Sequence, residues 1–131
     1  MPSNRPLHLL IVDDAPDNRF LLGRYVSKAG YTFETAENGQ EAVDKALRGC
    51  FDLVLMDIQM PVTDGFDALR MLRAKSYPQP IVAVTAHAMK GDREICMRAG
   101  FNDYTTKPIH REELLQVIAR NLGAAPVKAA L

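Results

Sequence analysis

The sequence has few cysteines and lacks any long apolar segment. Its two cysteines, Cys50 and Cys96, stand far apart, and neither has a second cysteine at the spacing of a zinc site or a thioredoxin-like motif. Residues 1–6 carry no signal-peptide core, and no apolar run approaches the roughly 20 residues that a membrane span needs. We therefore expect a cytoplasmic protein with reduced thiols and no membrane contact.

An excess of positive charge is also absent. The chain has 16 lysines and arginines against 16 aspartates and glutamates, so its formal net charge is zero. A nucleic-acid-binding domain carries a basic footprint, so we expect no nucleic-acid partner. A length of 131 residues with 47% hydrophobic side chains is enough for one domain with its own core.

What the chain does have is a fivefold alternation of short apolar runs and amphipathic stretches. The predicted strands are 7–12, 31–36, 53–56, 80–85 and 103–106, and the predicted helices are 15–29, 39–49, 64–74, 88–99 and 110–122. The third and fourth runs, Leu-Val-Leu-Met and Ile-Val-Ala-Val, are typical of strands buried on both faces. The alternation predicts a (βα)₅ doubly wound, flavodoxin-like α/β fold, an open sheet of five parallel strands with helices on both faces.

The helix boundaries have their own signals. Asn38 and Asp64 each precede an acidic residue by three positions, which is the spacing of an N-cap. Glycines stand where helices should stop, at Gly30, Gly49 and Gly100. We expect the domain to cover residues 1–122 and residues 123–131 to be a tail or a linker remnant.

Polar residues stand at the ends of the predicted strands. Asp13 and Asp14 follow the first strand, Asp57 follows the third, Thr85 ends the fourth, and Lys107 follows the fifth. The carboxyl ends of parallel strands meet at one edge of the sheet, where open α/β proteins place their sites. Each residue alone has an ordinary explanation as a turn or cap, but three adjacent carboxylates repel one another unless a cation neutralises them. Oxygen ligands without His or Cys favour Mg²⁺, with Mn²⁺ possible.

Five segments resemble one known family. They are LLIVDDAPDNR, AENGQEA, DLVLMDIQMPVTDGFDAL, PIVAVTAHAMKGDRE and AGFNDYTTKPI. Over about residues 7–122 the chain resembles the receiver domain of two-component response regulators. The run VTAHAMKGDRE followed by AGFNDY is most similar to receivers attached to hybrid histidine kinases.

The resemblance implies a role for each acidic residue. Asp57 would be the phosphoacceptor, whose carboxylate attacks phosphorus to form an acyl phosphate. Mg²⁺ would be bound directly by Asp14, and also by Asp57 and the backbone carbonyl of Gln59. Asp13 would hold it mainly through water.

It also implies roles for residues of the fourth and fifth strands. Lys107 would pair with one phosphoryl oxygen and the Thr85 hydroxyl would bond another, which suits a transfer that needs positioning and charge stabilisation. Tyr104 stands at the family's aromatic switch position, although a half-buried strand tyrosine explains it equally well. The Lys107–Pro108 peptide bond should be cis, bending the chain so that the lysine reaches the acidic residues.

The phosphoryl donor implied by the resemblance is a histidine kinase or a histidine phosphotransfer protein. At about 100° per residue, one side of the first helix should face the sheet, namely Leu22, Tyr25, Val26 and Ala29. Phe20 then points away, with Leu21 at the border. We expect the donor to dock there, because this helix starts directly after Asp13 and Asp14. The alternative is that Phe20 is a stray surface aromatic, which is normal in proteins.

Rival functions fit less well. A haloacid-dehalogenase-type phosphatase has a second Asp two residues after its nucleophile, where this chain has Gln59, and its acidic pair comes last rather than first. A degenerate receiver would lack part of the expected site, and no Gly-rich nucleotide loop occurs.

The role of the domain in a larger system stays open. It fits a stand-alone regulator or a receiver from a hybrid kinase, and no DNA-binding effector follows residue 122, so we expect no direct transcriptional output. We expect a signalling phosphoacceptor rather than a turnover enzyme, and a monomer when it is unphosphorylated.

Overall fold

Strands and helices alternate along the chain, as the sequence pattern predicts. The computed structural model describes residues 6–58, 64–86 and 91–122. Its strands are β1 (His8–Val12), β2 (Thr32–Ala36), β3 (Leu53–Asp57), β4 (Ile81–Thr85) and β5 (Asp103–Thr106). Its helices are α1 (Pro16–Lys28), α2 (Gly39–Arg48), α3 (Gly65–Ala74), α4 (Asp92–Ala99) and α5 (Arg111–Asn121). Most bounds lie within one residue of the prediction; the start of α4 expected at residue 88 lies outside the described residues.

The strands form one parallel sheet in the order β2-β1-β3-β4-β5. This is the doubly wound, flavodoxin-like α/β fold that the alternation predicts. After β1 the chain adds β2 on one side of the sheet, and after β3 it adds β4 and β5 on the other side. The strand order therefore reverses between β1 and β3. That reversal is where open α/β sheets have a crevice at their carboxyl edge.

The sheet separates two hydrophobic cores. One, which we call the α2–α3 core, contains Leu10, Val12, Val54, Met56, Val43, Leu69 and Leu72. The other, the α1–α5 core, contains Leu9, Ile11, Leu53, Leu55, Leu22, Val26, Leu114 and Ile118. Alternate residues of β1 and β3 point into opposite cores because successive strand side chains alternate in direction. Truncating a buried leucine in either core to alanine would destabilise the fold by about 2–5 kcal/mol.

Strand β2 departs from this buried pattern. Thr32, Phe33 and Glu34 are exposed, and only Ala36 is buried. The reason is position, because among the described strands β2 lies at the edge of the sheet and pairs with β1 alone.

The predicted caps hold the helix ends. The side chain of Asn38 accepts from the Glu41 N–H at 2.8 Å, and that of Asp64 accepts from the Asp67 N–H at 2.9 Å. Gly100 ends α4 with φ 119°, a left-handed conformation that favours glycine. Within the described residues, no helix is long and apolar enough to cross a membrane.

The prediction for helix α1 is correct on most of its inner face. Leu22 and Val26 are buried in the α1–α5 core, and Tyr25 packs against it. The prediction for Ala29 is wrong, because this residue is exposed. The helix ends at Lys28, so Ala29 is the C-cap and no longer follows the helical spacing.

A buried carboxylate ties α5 to β5. Both oxygens of Asp103 accept from Arg120, at 2.7 and 3.0 Å, and further bonds come from the Asn121 side chain and the Tyr104 N–H, each at 2.8 Å. Burial by itself raises the pKa of Asp103, but the bonds from these three partners outweigh it and bring the pKa below its ordinary value. The charged form therefore stabilises the fold.

We predict that Asp103→Asn lowers the free energy of unfolding near pH 7 by about 1–2 kcal/mol, at the low end for a charged bond because Arg120 is partly exposed. Because the folded-state pKa of Asp103 is depressed, its stabilisation of the fold is present above the unfolded pKa of about 3.9. This stabilisation is lost as the pH falls through the folded pKa. The difference in the free energy of unfolding between wild type and Asp103→Asn, measured by urea unfolding, should therefore shrink below about pH 4. Glu112→Gln, at an exposed position of α5, is the control, and a pH-independent gap would contradict the assignment.

Candidate functional site

Three carboxylates meet at the carboxyl edge of the sheet. Asp13 follows β1, Asp57 ends β3, and the two strands are paired so that Val12 lies beside Met56. One carboxylate oxygen from each of Asp13, Asp14 and Asp57 lies within 4.8 Å of the others. Asp13 and Asp57 are buried, and Asp14 is exposed. The structure therefore brings together the three acidic residues singled out in the sequence.

Lys107 reaches the same cluster from the end of β5. Its Nζ lies 3.3 Å from Asp13 Oδ2 and 3.5 Å from Asp57 Oδ2. Its backbone N–H donates to the Thr85 carbonyl at 2.8 Å, and the Lys107–Pro108 peptide bond is cis, as expected. Three carboxylates and one ammonium leave a formal charge of −3 + 1 = −2. The lysine alone does not neutralise the cluster.

The two oxygens of Asp13 have different surroundings. Oδ1 accepts from the Ala15 N–H at 2.9 Å and, over a longer 3.4 Å, from the Asn18 side chain. Oδ2 is buried, lacks a hydrogen-bond partner among the described residues, and has the Lys107 ammonium beside it. A buried oxygen without a hydrogen bond, in an all-oxygen cluster of net negative charge, fits a hard divalent cation such as Mg²⁺. Gln59, the further expected ligand, lies outside the described residues.

Thr85 and Tyr104 lie on the same face of the sheet. Thr85 is the last residue of β4 and is buried; Tyr104 pairs with Ala83 of β4 and packs, half-buried, against the α2–α3 core. Thr85 also lines a cleft of about 280 Å³ that includes Phe66 and Ile95. A hydroxyl at the carboxyl end of β4 and an aromatic ring are thus on neighbouring strands.

Helix α3 packs directly on the backbone of Asp57. A Cβ at Gly65 would lie 2.6 Å from the Asp57 carbonyl oxygen and 2.6 Å from the Ile58 Cα. No side chain larger than glycine fits without moving that backbone. This close contact is visible only in the structure.

Sequence reasoning also missed Asn18 and Arg19. Asn18 bonds the Asp13 carboxylate, and Arg19 Nη1 donates to the Asp13 carbonyl oxygen at 2.8 Å. The only signal was their place in the first turns of the helix that follows Asp13 and Asp14. Both residues are also compatible with a solvated helix surface, so spacing alone does not identify them.

The predicted docking residues differ in exposure. Phe20 is 71% exposed and borders a groove with Gly23 and Phe33. Leu21 is half-buried, as its border position predicts. The outward direction of Phe20 is confirmed, and its function stays a prediction.

Residues 9–119 match the family model of the response regulator receiver domain, and the chain belongs to that family. It is 39% identical over 120 residues to the signal transduction histidine-protein kinase BarA of Escherichia coli K12, covering 90% of this chain and 13% of that protein. The chain therefore spans a small part of this curated relative.

Two solved structures are similar over nearly the whole chain. The receiver domain of the sensor histidine kinase PA1611 from Pseudomonas aeruginosa, with magnesium in its active-site cleft, has a TM-score of 0.83 and 39% identity, covering 91% of this chain and 99% of that one. The co-crystal of the Saccharomyces cerevisiae phosphotransfer protein Ypd1 with the Ssk1 receiver domain has a TM-score of 0.84 and 30% identity, covering 99% and 95%.

Proposed function

We propose that the chain accepts a phosphoryl group from a phosphohistidine onto Asp57, in the presence of Mg²⁺, as part of a two-component phosphorelay. The observation that carries this proposal is the buried Asp57 carboxylate, which shares a cluster with Asp13 and Asp14 and lies 3.5 Å from the Lys107 ammonium. Membership of the receiver family and the magnesium in the similar PA1611 receiver support it.

Each residue of the cluster has a defined chemical task. An oxygen of Asp57 attacks phosphorus, and the bond from phosphorus to the donor nitrogen breaks, leaving its electron pair on the imidazole. The Lys107 ammonium, 3.5 Å from Asp57, would pair with one transferred phosphoryl oxygen, and the Thr85 hydroxyl would donate to another. Asp13, Asp14, Asp57 and the Gln59 carbonyl would hold Mg²⁺ or Mn²⁺, which neutralises charge during transfer.

The product is a phosphorylated protein, so the domain is a signalling acceptor rather than a turnover enzyme. The donor is a histidine kinase or a histidine phosphotransfer protein. The similarity to the Ssk1 receiver, which was solved with Ypd1, supports this class of partner. We propose a monomer before phosphorylation, since one chain contains every side chain of the cluster.

We predict that acetyl phosphate adds the mass of one phosphoryl group to the wild-type chain in the presence of Mg²⁺. EDTA should prevent the addition, because the carboxylates then repel the incoming phosphoryl group. Asp57→Ala should abolish it, whereas Asp44→Ala, at an exposed carboxylate on α2, should not. Intact-mass spectrometry measures the product, and equal labelling of Asp57→Ala would refute the assignment.

We predict that phosphorylation draws the Thr85 hydroxyl toward the phosphoryl group and moves Tyr104 inward behind it. A ligand shifts a conformational equilibrium only through contacts that differ between the states, and the Thr85 bond is such a contact. Beryllofluoride, which imitates the phosphoryl group, should shift amide NMR signals from Asp57 through residues 85–106. Thr85→Val should confine the shifts to the neighbourhood of Asp57; shifts that never reach β5 in the wild type would exclude the switch.

We predict that Phe20→Ala slows transfer from a phosphohistidine donor protein by about tenfold and leaves labelling by acetyl phosphate unchanged. An exposed aromatic at the helix beside the cluster can anchor a partner that must bring its histidine within bonding distance of Asp57. Leu47→Ala, another exposed apolar residue, on α2, is the control. Equal transfer by wild type and Phe20→Ala from both donors would make Phe20 an ordinary surface residue.

A further inference from the structure

The backbone of Asp13 is held by a residue of helix α1. The Asp13 N–H donates to the Ala36 carbonyl at 3.1 Å, which continues the pairing of β1 with β2. Its carbonyl oxygen accepts from Arg19 Nη1 at 2.8 Å. With Oδ1 bonded to the Ala15 N–H, only Oδ2 has no hydrogen bond among the described residues, and this is the oxygen beside Lys107.

The bond from Arg19 is of a strong and specific kind. It is charge-assisted and short, and the Arg19 side chain is only 17% exposed, so water competes weakly for it. The second contact of the guanidinium, Nη2 to Glu37 Oε2, is 3.8 Å long and involves a largely exposed carboxylate. Contacts of that kind contribute little. The main partner of Arg19 is therefore the Asp13 carbonyl.

Fixing this carbonyl fixes the geometry of the acidic pair. The oxygen belongs to the planar peptide group that joins Asp13 to Asp14. Its direction therefore sets ψ of Asp13, the backbone torsion that leads into Asp14. A rotation there would move the Asp14 carboxylate relative to Asp13 and Asp57. The guanidinium thus restrains the position of Asp14 relative to Asp13 without belonging to the cluster.

We propose that Arg19 is a positioning residue for the divalent cation, acting through Asp13. The inference rests on the proposed function, because it assumes that the acidic cluster binds Mg²⁺. Arg19 touches neither the cation nor the phosphoryl group. It holds the turn after β1 so that the carboxylate of Asp14 stays close to those of Asp13 and Asp57.

Two other roles for Arg19 give different results. If Arg19 acted only by its charge, it would repel a nearby cation, and removing it would strengthen Mg²⁺ binding. If it only stabilised the fold, its loss would lower the urea midpoint without changing the Mg²⁺ affinity of the folded protein. Of the three roles, only positioning predicts that the folded protein binds Mg²⁺ more weakly once Arg19 is removed.

The test is isothermal titration calorimetry of Mg²⁺ into the full chain, well below the unfolding temperature. We expect Arg19→Met to weaken Mg²⁺ affinity by about tenfold, the usual size of an effect exerted through a ligand's hydrogen-bonding partner. Arg19→Lys keeps the charge and one donor direction, so its Mg²⁺ affinity should fall between those of the wild type and Arg19→Met. Lys28→Met removes an exposed cation from the same helix and should bind like the wild type. Unchanged or tighter binding by Arg19→Met would overturn the inference.

Labelling by acetyl phosphate at increasing Mg²⁺ gives a second readout. The half-saturating Mg²⁺ concentration of Arg19→Met should rise by about tenfold, while the rate at saturating Mg²⁺ stays within about twofold, because Asp57 and Lys107 are intact. If Arg19→Met does not fold, Arg19→Lys and Asn18→Ala, which removes the long bond to Oδ1, decide the question, and wild-type affinity in both overturns the inference. A wild type that binds Mg²⁺ but is never labelled would refute the proposed function and leave the calorimetric result valid.

Discussion

The structure depends on the burial of two like charges side by side. Asp13 and Asp57 are each at most 1% exposed, and their oxygens lie within 4.8 Å of one another. Two unit charges at that distance repel by about 3.5 kcal/mol at an effective dielectric constant of about 20. Lys107 Nζ lies 3.3 Å from Asp13 Oδ2 and 3.5 Å from Asp57 Oδ2, so it opposes this repulsion. Its single positive charge does not also neutralise Asp14. The pocket is therefore built to gain from a second cation.

The strand order explains how four distant segments meet at one edge of the sheet. Asp13, Asp57, Thr85 and Lys107 come from β1, β3, β4 and β5, which are neighbours in the sheet although they span most of the sequence. Asp13 and Asp57 lie on either side of the point where the strand order reverses. The helices turn away from the sheet in opposite directions there and leave the carboxyl edge open.

Much of this arrangement could be predicted from the sequence. Periodicity located the strands and helices, and the parallel topology then placed every strand-end residue at one edge. What could not be predicted depends on side-chain direction or on contacts between distant segments. The bond from Arg19 to the Asp13 carbonyl requires one rotamer of a residue that also suits solvent, and the Asp103–Arg120 pair, 17 residues apart, requires α5 to pack on β5 in one register. The edge position of β2, which exposes Phe33, follows from strand order rather than from its own residues.

The division of the interior into two cores has a consequence for how such a domain can diverge. The helix that carries Phe20 is anchored in the α1–α5 core through Leu22 and Val26, whereas Tyr104 packs against the α2–α3 core, and the fully buried strands β3 and β4 lie between them. Substitutions that reshape one helical layer leave the packing of the other intact, because distant sites without shared contacts act nearly independently. After gene duplication, a copy can therefore change the surface of one layer while it inherits the other, and pathways that share a common ancestor can become insulated from each other in separate steps.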